Sequence, residues 1–317
     1  LRVARGDTAQ PLTPAIRARL DDIRRRAAAD SANTLRFNWQ APLMMSQHNP
    51  RVIYAGGNKL IRSVNRGDQW MVISPDLSQQ DSMRIRISMQ STGGITKDVT
   101  GAEVNGTVST MAESPFRPGF LWIGTDDGKV WLTKNDGASW EDLTPRFARL
   151  VPPKTWVSRV EASRVDSNTV YITFDAHRDG DLKPYVFVSR DMGRTFTPLM
   201  NGLPTDGVSF VHVIREDPVN PNLLYLGTDI GAYVSTNRGQ GWQRFGSGLP
   251  TVPVHDLKVH PEQRELIAGT HGRSVWINDV SALQQLTDAV AAKGSHLFTL
   301  RTAYQFTPES RLAETQG

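Results

Sequence analysis

A turn motif that recurs four times constrains the fold of this chain more than any other feature of its sequence. Each copy has a serine or threonine, an aspartate or asparagine two positions later, a glycine two positions after that, and a tryptophan or phenylalanine three positions further on. The copies are Ser63, Asn65, Gly67 and Trp70; Thr133, Asn135, Gly137 and Trp140; Ser189, Asp191, Gly193 and Phe196; and Ser235, Asn237, Gly239 and Trp242. Such self-similarity is typical of a repeat architecture, in which each copy marks one structural unit.

The residue types of the motif predict a tight turn followed by a strand. The Asp or Asn side chain can accept hydrogen bonds from backbone N–H groups just ahead of it, and glycine adopts a positive φ at low cost. The aromatic residue begins the next strand, where it can pack between adjacent units and bury roughly 150–250 Å². We therefore expect these turns to be architecture rather than a binding site.

A second pattern, an apolar strand, precedes each turn motif. Its four versions read VIYAGG, FLWIGT, TVYITF and LLYLGT, and a fifth version, ELIAGT, has no turn motif after it. With the flanking strands, each unit holds four strands in about 45 to 55 residues, which is the size of a propeller blade. The sequence thus predicts an all-β fold, a β-propeller of about five four-stranded blades, with short N- and C-terminal helices.

The blades are predicted to occupy residues 36–285, with a polar, glycine-rich insertion at 77–107. Residues 1–35 are expected to form a helical segment and linker, and residues 286–317 a helix end and linker. The first helix is predicted from Thr13, as its N-cap. The second is predicted from a capping box between Ser281 and Gln284.

Composition excludes some classes of protein. The chain has 317 residues and no cysteine, so it can form neither disulfides nor thiolate metal sites. Its net charge is +4, but acidic and basic residues are interleaved over most of its length, which argues against a nucleic-acid partner. No apolar run is long enough to span a bilayer. Because both ends look cut, we expect a piece of a longer protein.

Propeller sites lie in loops around the central channel, so the loops after the second strands hold the first candidate residues. The candidates for ligand binding are Asp175, His177, Arg178, Asp181, Asp229, His271 and Arg273, with Arg159 and Glu161 on inner strands. The inner strands also carry Trp156, His212, Arg215, Glu216, His255 and Asp256.

The densest candidate loop reads DAHRDGDLKPY, and its three carboxylates could ligate Ca²⁺ through oxygen atoms. Their spacing differs from that of the usual calcium loop, and Arg178 and Lys183 can neutralise them. A hydrogen-bonded loop explains the sequence better, so no metal and no cofactor are predicted.

The repeats resemble Asp-box (BNR) repeats, and the chain is similar to the bacterial sortilin/Vps10-like propeller family, often labelled glycosyl-hydrolase-like. Further stretches that carry the resemblance are LRFNWQAPLMMSQHNP and LPTVPVHDLKVHPEQRELIAGTHGRSVWIND. The resemblance covers about residues 36 to 285. It implies a ligand-binding propeller outside the cytoplasm (periplasmic, cell-surface or secreted) and additional blades upstream, from the same or another chain.

Three functions are compatible with these residues. The leading hypothesis is a non-catalytic propeller that binds a peptide, a protein or a glycan. The alternative is a glycoside hydrolase, which needs two carboxylates across the scissile bond; Asp126, Asp175 and Asp229 are the candidates. Aromatic platforms for a glucan are offered by Trp39, Trp122, Trp131 and Trp156. A third hypothesis is that the chain only completes a larger propeller.

Overall fold

A computed structural model describes residues 14, 18, 35–88, 104–246, 248–303 and 305. The chain divides into two compact units, Leu1–Arg36 and Phe37–Gly317. The predicted first helix lies outside the described residues, except that positions 14 and 18 are helical. The middle of the predicted insertion, residues 89–103, also lies outside them. The description below concerns the second unit.

The described part of the second unit is built from five antiparallel sheets, here called blades 1 to 5. Blade 1 contains β1 (Leu43–Met45), β2 (Ile53–Gly56), β3 (Leu60–Ser63) and β4 (Met71–Val72); blade 2 contains β5 (Val108–Glu113), β6 (Leu121–Thr125), β7 (Val130–Thr133) and β8 (Glu141–Asp142). Blade 3 contains β9 (Trp156–Ala162), β10 (Val170–Asp175), β11 (Tyr185–Ser189) and β12 (Thr197–Pro198). Blade 4 contains β13 (Val211–Glu216), β14 (Leu224–Thr228), β15 (Gly231–Ser235) and β16 (Gln243–Phe245); blade 5 contains β17 (Val254–His260), β18 (Glu265–Thr270) and β19 (Val275–Asp279).

Within each blade the strands lie side by side in the order of the sequence, and every pair is antiparallel. The predicted all-β fold is confirmed. Blades 1 to 4 have the predicted four strands, whereas blade 5 has three among the described residues. That blade is also the one without the turn motif, which in the other blades joins the third strand to the fourth.

The four turn motifs share one hydrogen-bonding pattern. The serine or threonine hydroxyl accepts the N–H of the motif glycine, as in Gly193 to Ser189 at 2.7 Å. The Asp or Asn oxygen accepts the N–H four positions later, at 2.9 Å in each copy. The glycines have positive φ, from 80° at Gly193 to 101° at Gly67. The predicted turn chemistry is therefore present at all four positions.

The residue before each motif glycine is left-handed as well, which the sequence did not reveal. Asp136, for example, has φ 57°. This conformation directs its N–H toward the loop that precedes the second strand of the same blade, where it donates to the carbonyl of Gly119 at 2.9 Å. Met192 donates to Asn168 in the same way in blade 3, also at 2.9 Å. The two sequence patterns are thus joined by a hydrogen bond within each of blades 1 to 4.

The motif aromatics pack against the preceding blade, as predicted. Trp140 of blade 2 donates its indole N–H to the carbonyl of Ile73, which follows blade 1, at 3.1 Å. Trp242 of blade 4 donates to Leu199, which follows blade 3, at 2.8 Å. Trp70 occupies the same position in blade 1 and is 41% exposed, because no described blade precedes it.

A glycine on the second strand gives close contact with the next blade. A Cβ atom on Gly124 would overlap Val157 of blade 3, and one on Gly227 would overlap the Val254 carbonyl of blade 5. On Gly269 of blade 5, the nearest atom would be 3.7 Å away. Hydrophobic clusters fill the spaces between neighbouring blades, so the core is divided among the blade interfaces. The row of described blades is open at both ends.

Within the described part of the second unit the α-helices are short: α1 (Ser82–Ser88) lies between blades 1 and 2, and α2 (Ser281–Gln284) and α3 (Asp288–Ala291) follow blade 5. Helix α1 lies within the predicted insertion. The predicted capping box from Ser281 is wrong, because that residue lies inside α2, and Val280 is the N-cap without a side-chain hydrogen bond. Thr287 instead caps α3 by accepting the Val290 N–H at 3.2 Å. No helix among the described residues has the length and apolar character needed to cross a membrane.

Candidate functional site

The first strands of all five blades line one cleft of about 700 Å³. They are β1, β5, β9, β13 and β17, the strands at one edge of each sheet. Loops at the ends of these strands complete the lining. The candidates that the structure brings together here are Asp175, His177, Arg178, Arg159 and Glu161, together with Trp156, His212, Arg215, Glu216 and His255.

Two arginines and two carboxylates form a network across blades 3, 4 and 5. Arg215 donates to Glu161 at 2.7 Å and to Asp256 at 2.8 Å, and its Nε donates to the Leu257 carbonyl at 2.7 Å. Arg159 donates to the same Asp256 oxygen at 3.1 Å. These contacts join side chains that lie up to 97 positions apart in the sequence.

The pKa values of the two arginines in the network are shifted in opposite directions. Burial opposes the charge of Arg215, but the carboxylates of Glu161 and Asp256 raise its pKa overall. Burial, followed by the neighbouring Arg215 cation, lowers the pKa of Arg159. The Arg159 Nε atom is buried and has no hydrogen-bond partner among the described residues. Arg215 is therefore the hub of the network, while Arg159 retains an unused donor.

A row of rings crosses the same blades at one end of the cleft. His177 stacks on Phe210 with centroids 4.6 Å apart. His212 and His255 are separated by 4.2 Å, and His255 and His271 by 4.9 Å. The row brings together imidazoles from three consecutive blades, so the histidines of this cleft are neighbours in space.

Carboxylates hold two of the imidazoles. The ring Nδ1 of His177 lies 2.6 Å from Asp175, and the ring Nε2 of His212 lies 3.4 Å from Asp229. A carboxylate only accepts hydrogen bonds when ionised, so these ring nitrogens carry the protons. Burial lowers the pKa of His212 although Asp175 and Asp229 oppose the shift. Asp229 therefore contacts the row of rings at His212.

The pKa of His255 is lowered to about 4. Burial is the main cause, and the neighbouring imidazoles of His212 and His271 add to it. The ring is consequently uncharged at neutral pH. It can accept or donate one hydrogen bond there without adding charge to the cleft.

Trp156 and Arg178 form a cation–aromatic pair at the mouth of the cleft. The guanidinium carbon of Arg178 lies 4.1 Å from the centroid of the indole ring. Trp156 begins β9 and is paired with Asp175 at the end of β10, while Arg178 lies in the short 3-10 helix that follows. The strand pairing therefore places the ring beneath the guanidinium.

Several predicted residues are directed elsewhere. Asp126 is buried within blade 2, where it accepts the Gly106 N–H at 3.0 Å and the Thr107 N–H at 2.8 Å. Burial, and then the Asp127 charge, raise its pKa to about 7. Asp181 accepts the hydroxyl of Tyr185 at 2.7 Å. Neither carboxylate lines the cleft.

The cleft lining also lacks Asp229, Asp256, His271 and Arg273. Arg273 lies in the loop between β18 and β19. It is exposed, and its carbonyl accepts the Trp276 indole N–H at 2.8 Å. His271 reaches the cleft only through its contact with His255. The predicted group of loop residues therefore divides, and the members that line the cleft, Asp175, His177 and Arg178, all come from blade 3.

Two cations of the cleft were not among the predicted residues. Lys258 lies on β17 between the buried residues Leu257 and Val259, so alternation along that strand could have identified it. Arg164 follows β9 and has no such signal. Neither side chain forms an ion pair with another described residue, and the same is true of Arg178.

The described residues contain no group of three or more histidines and carboxylates arranged to hold a metal ion. In the loop DAHRDGDLKPY, Asp175 contacts His177 and Asp181 contacts Tyr185. These two carboxylates therefore take separate partners.

No protein-family model matches the chain, and no curated protein matches it. Among solved structures it is similar to an ancestral GH74 enzyme (18% identity, 75% of this chain and 28% of that chain, TM-score 0.55). It is also similar to the GH74 xyloglucanase from Xanthomonas campestris (16%, 75% and 36%, 0.56) and to a GH74 enzyme from Niastella koreensis (14%, 75% and 36%, 0.52). The chain thus spans about a third of the length of these enzymes. At such identities the likeness shows the fold, and the chain is an all-β protein of the propeller type.

Proposed function

We propose that the cleft is a non-catalytic binding site for an extended ligand, a glycan or a peptide. The observation that carries the proposal is that the carboxylates lining the cleft are already engaged. Glu161 binds Arg215, and Asp175 binds His177. Glu216 is buried and accepts the Arg164 N–H at 2.6 Å. A glycoside hydrolase needs two carboxyl groups that face the substrate, so this arrangement favours binding over hydrolysis.

The shape of the cleft favours an extended ligand. It follows inner strands from the ring row at one end to Arg164 and Lys258 at the other. Rigid strands hold these side chains, which lowers the cost of ordering them when a ligand binds. The extracytoplasmic location that the sequence resemblance implies is part of the same proposal.

Calorimetric titration of the whole chain against glycan and peptide panels tests this proposal. Trp156→Ala removes the ring at the mouth of the cleft and should weaken binding. Trp70→Ala removes a half-exposed tryptophan from the outer rim and is the matched control. Saturable binding that both variants retain equally would place the ligand outside the cleft. A complete lack of binding by the folded chain would refute the function.

A glycoside hydrolase is the second candidate. It is supported by Asp175 and Asp229, which come from neighbouring blades and both act on His212. The fold likeness to GH74 enzymes agrees with it. Hydrolysis should be measured on β-glucans, xyloglucan and sialosides, with Asp175→Asn and Asp229→Asn as variants. Turnover that either substitution abolishes, in a protein that still folds, would establish the enzyme and overturn the binding proposal.

We further propose that additional blades, from the same or another chain, cover the open ends of the row. At the first end, Trp70 has no preceding blade to pack against. At the other end, β19 is exposed along its whole length, with Val275 and Ile277 63% and 62% exposed. An exposed apolar edge strand of this kind is an aggregation liability unless it is paired or covered.

A further inference from the structure

Three cations of the cleft have no ion-pair partner among the described residues, whereas the carboxylates of the cleft have hydrogen-bonding partners. Arg164, Arg178 and Lys258 line the cleft without an ion pair to any described residue. Of the carboxylates that line it, Glu161 is ion-paired with Arg215, Asp175 is hydrogen-bonded to His177, and Glu113 accepts the Gly119 N–H at 3.1 Å. In the described part of the chain, five arginine and lysine side chains line the cleft against four carboxylates, and the three cations without an ion pair are exposed, so they are available to an anionic ligand.

These cations are spread along the cleft. Arg178 lies beside Trp156, at the start of β9, and Arg164 lies two positions beyond the last residue of that strand. Seven residues of β-strand span roughly 20 Å, at about 3.3 Å per residue. Arg159, which is paired with Asp256, lies on the strand between them. One carboxylate cannot reach both ends, so a ligand that uses all of these cations must carry charge at repeated intervals.

The surfaces between the cations are flat and polar. The Trp156 ring with Arg178 over it, and the paired imidazoles of His212 and His255, present planar groups to the cleft. Arginine can stack through its face while the N–H groups at its edge bind a carboxylate. Large apolar side chains lie mainly at the β1 lip, at Met44 and Met45. Such a lining suits sugar rings with hydroxyl groups better than the varied side chains of a polypeptide.

We propose that the ligand of this cleft is an acidic polysaccharide, a linear glycan with repeated carboxylates that contact Arg178, Arg164 and Lys258. This inference rests on the proposed binding function and specifies its ligand. It also assigns a role to Arg164 and Lys258. The Arg215 network would serve as the neutral floor on which the chain lies.

The test compares two forms of one polymer. Polygalacturonate carries one carboxylate per sugar, and its fully methyl-esterified form keeps the backbone but loses the charge. Titration of the whole chain should give binding to the acidic form that is at least about tenfold tighter, because several ion pairs of about 0.2–1 kcal/mol each are lost on esterification. Affinity for the acidic form should also fall as salt is raised.

Variants locate the contact. Arg164→Gln and Lys258→Gln should each weaken binding of polygalacturonate about twofold to fivefold. Arg273→Gln removes an exposed arginine outside the cleft and should leave it unchanged. Circular dichroism and unfolding midpoints would verify that each variant is folded.

The possible outcomes separate the two proposals. Equal binding of the acidic and esterified polymers would overturn the acidic ligand and leave the binding function in place. Tighter binding of poly-glutamate than of polygalacturonate would identify an acidic polypeptide and overturn the glycan. If Arg273→Gln weakened binding as much as Arg164→Gln, the charge preference would be a property of the whole surface and the assignment to the cleft would fail. If the folded chain bound none of the polymers or peptides, the binding function itself would be refuted.

Discussion

The imidazole rings of His212 and His255 lie against each other across two neighbouring blades, with centroids 4.2 Å apart. Neither ring can take up a proton without placing a positive charge beside its neighbour. Asp175 and Asp229 favour protonation, but burial and the other imidazoles, His177 and His271, outweigh them. The folded protein therefore holds both rings in the neutral form at neutral pH.

This relationship predicts a loss of stability in acid. The pKa of His255 is about 4 in the folded chain and 6.5 in the unfolded chain, so the unfolded chain binds more protons between these values. The contribution of the neutral rings to folding stability is fully present above about pH 6.5 and is lost as the pH falls toward 4. Urea unfolding over this range should show the decline.

The control for the acid effect is a comparison of two glutamine variants. His255→Gln should reduce the slope of stability against pH, whereas His296→Gln, which changes a histidine outside the ring row, should not. An unchanged slope in His255→Gln would show that other groups cause the acid loss.

The raised pKa of Asp126 predicts the opposite dependence of folding stability on pH. Its pKa is raised from 3.8 to about 7, so the folded chain binds the proton more tightly and this group destabilises the fold as the pH rises from about 4 to 7. Asp126→Asn keeps an acceptor for the Gly106 and Thr107 N–H groups without the charge. We expect it to equal or exceed the parent in stability at about pH 8. Asp126→Ala leaves both donors unsatisfied and should lose about 2 kcal/mol. Guanidinium unfolding of both variants would measure this, and equal losses would contradict it.

The geometry of the Arg215 network predicts that alanine substitution destabilises the fold more at Arg215 than at Arg159. Arg215→Ala leaves the buried Glu161 carboxylate without its partner and removes three hydrogen bonds. We expect a loss of about 2–3 kcal/mol in the free energy of unfolding. Arg159→Ala removes one contact to Asp256 and relieves repulsion between the guanidinium groups, so its loss should stay below about 1 kcal/mol. Equal losses in denaturant titrations would argue against Arg215 as the hub.

We expect the loss of stability on replacing a motif tryptophan to depend on whether a described blade precedes its own blade. Trp242 is 4% exposed, and Trp242→Ala should cost about 3–5 kcal/mol. Trp70 has the same place in its motif but no described blade before it, so Trp70→Ala should cost less than about 1 kcal/mol. Chemical unfolding of the isolated chain measures both. A large loss in Trp70→Ala would show that the ring is already covered.

The blade glycines provide a matched pair as well. Alanine at Gly124 would overlap Val157 of the next blade, so Gly124→Ala should destabilise the chain by about 1–3 kcal/mol. Gly269→Ala introduces the same methyl group where the nearest atom is 3.7 Å away, and little change is expected. Thermal unfolding would compare the two, and similar melting temperatures would contradict the close contact.

The fold could be predicted from the sequence because its signals are local. The hydroxyl, the Asx side chain and the glycine of each turn bond to one another within five positions, as Ser189 and Gly193 do. Such contacts depend little on the rest of the chain. The left-handed residue before the glycine was missed because any residue type can occupy it when a backbone hydrogen bond holds it there, as at Asp136.

The site was predicted less completely because its contacts are distant in sequence. The sequence pattern places Asp126 in the same group as Asp175 and Asp229, as the equivalent loop residue of a neighbouring blade. The segment before β5 instead supplies the Gly106 and Thr107 N–H groups that bind it, and no feature of the sequence indicates that contact. Likewise, the meeting of Arg159 and Asp256 depends on how two blades approach across a third.

The repeated contacts between blades have a consequence for how such a chain can change over evolutionary time. At the junctions between blades 1 and 2 and between blades 2 and 3, a glycine on the second strand of one blade (Gly56 or Gly124) faces the next blade, and the motif aromatic of that next blade (Trp140 or Phe196) packs back, so these two junctions are built from the same two parts. Duplication of a whole unit therefore creates a junction that already fits, without new mutations elsewhere. Interactions in such arrays extend mainly between nearest neighbours. Sequences outside the turn and the glycine are free to diverge, which lets the inner strands acquire new charges while the number and packing of blades are inherited unchanged.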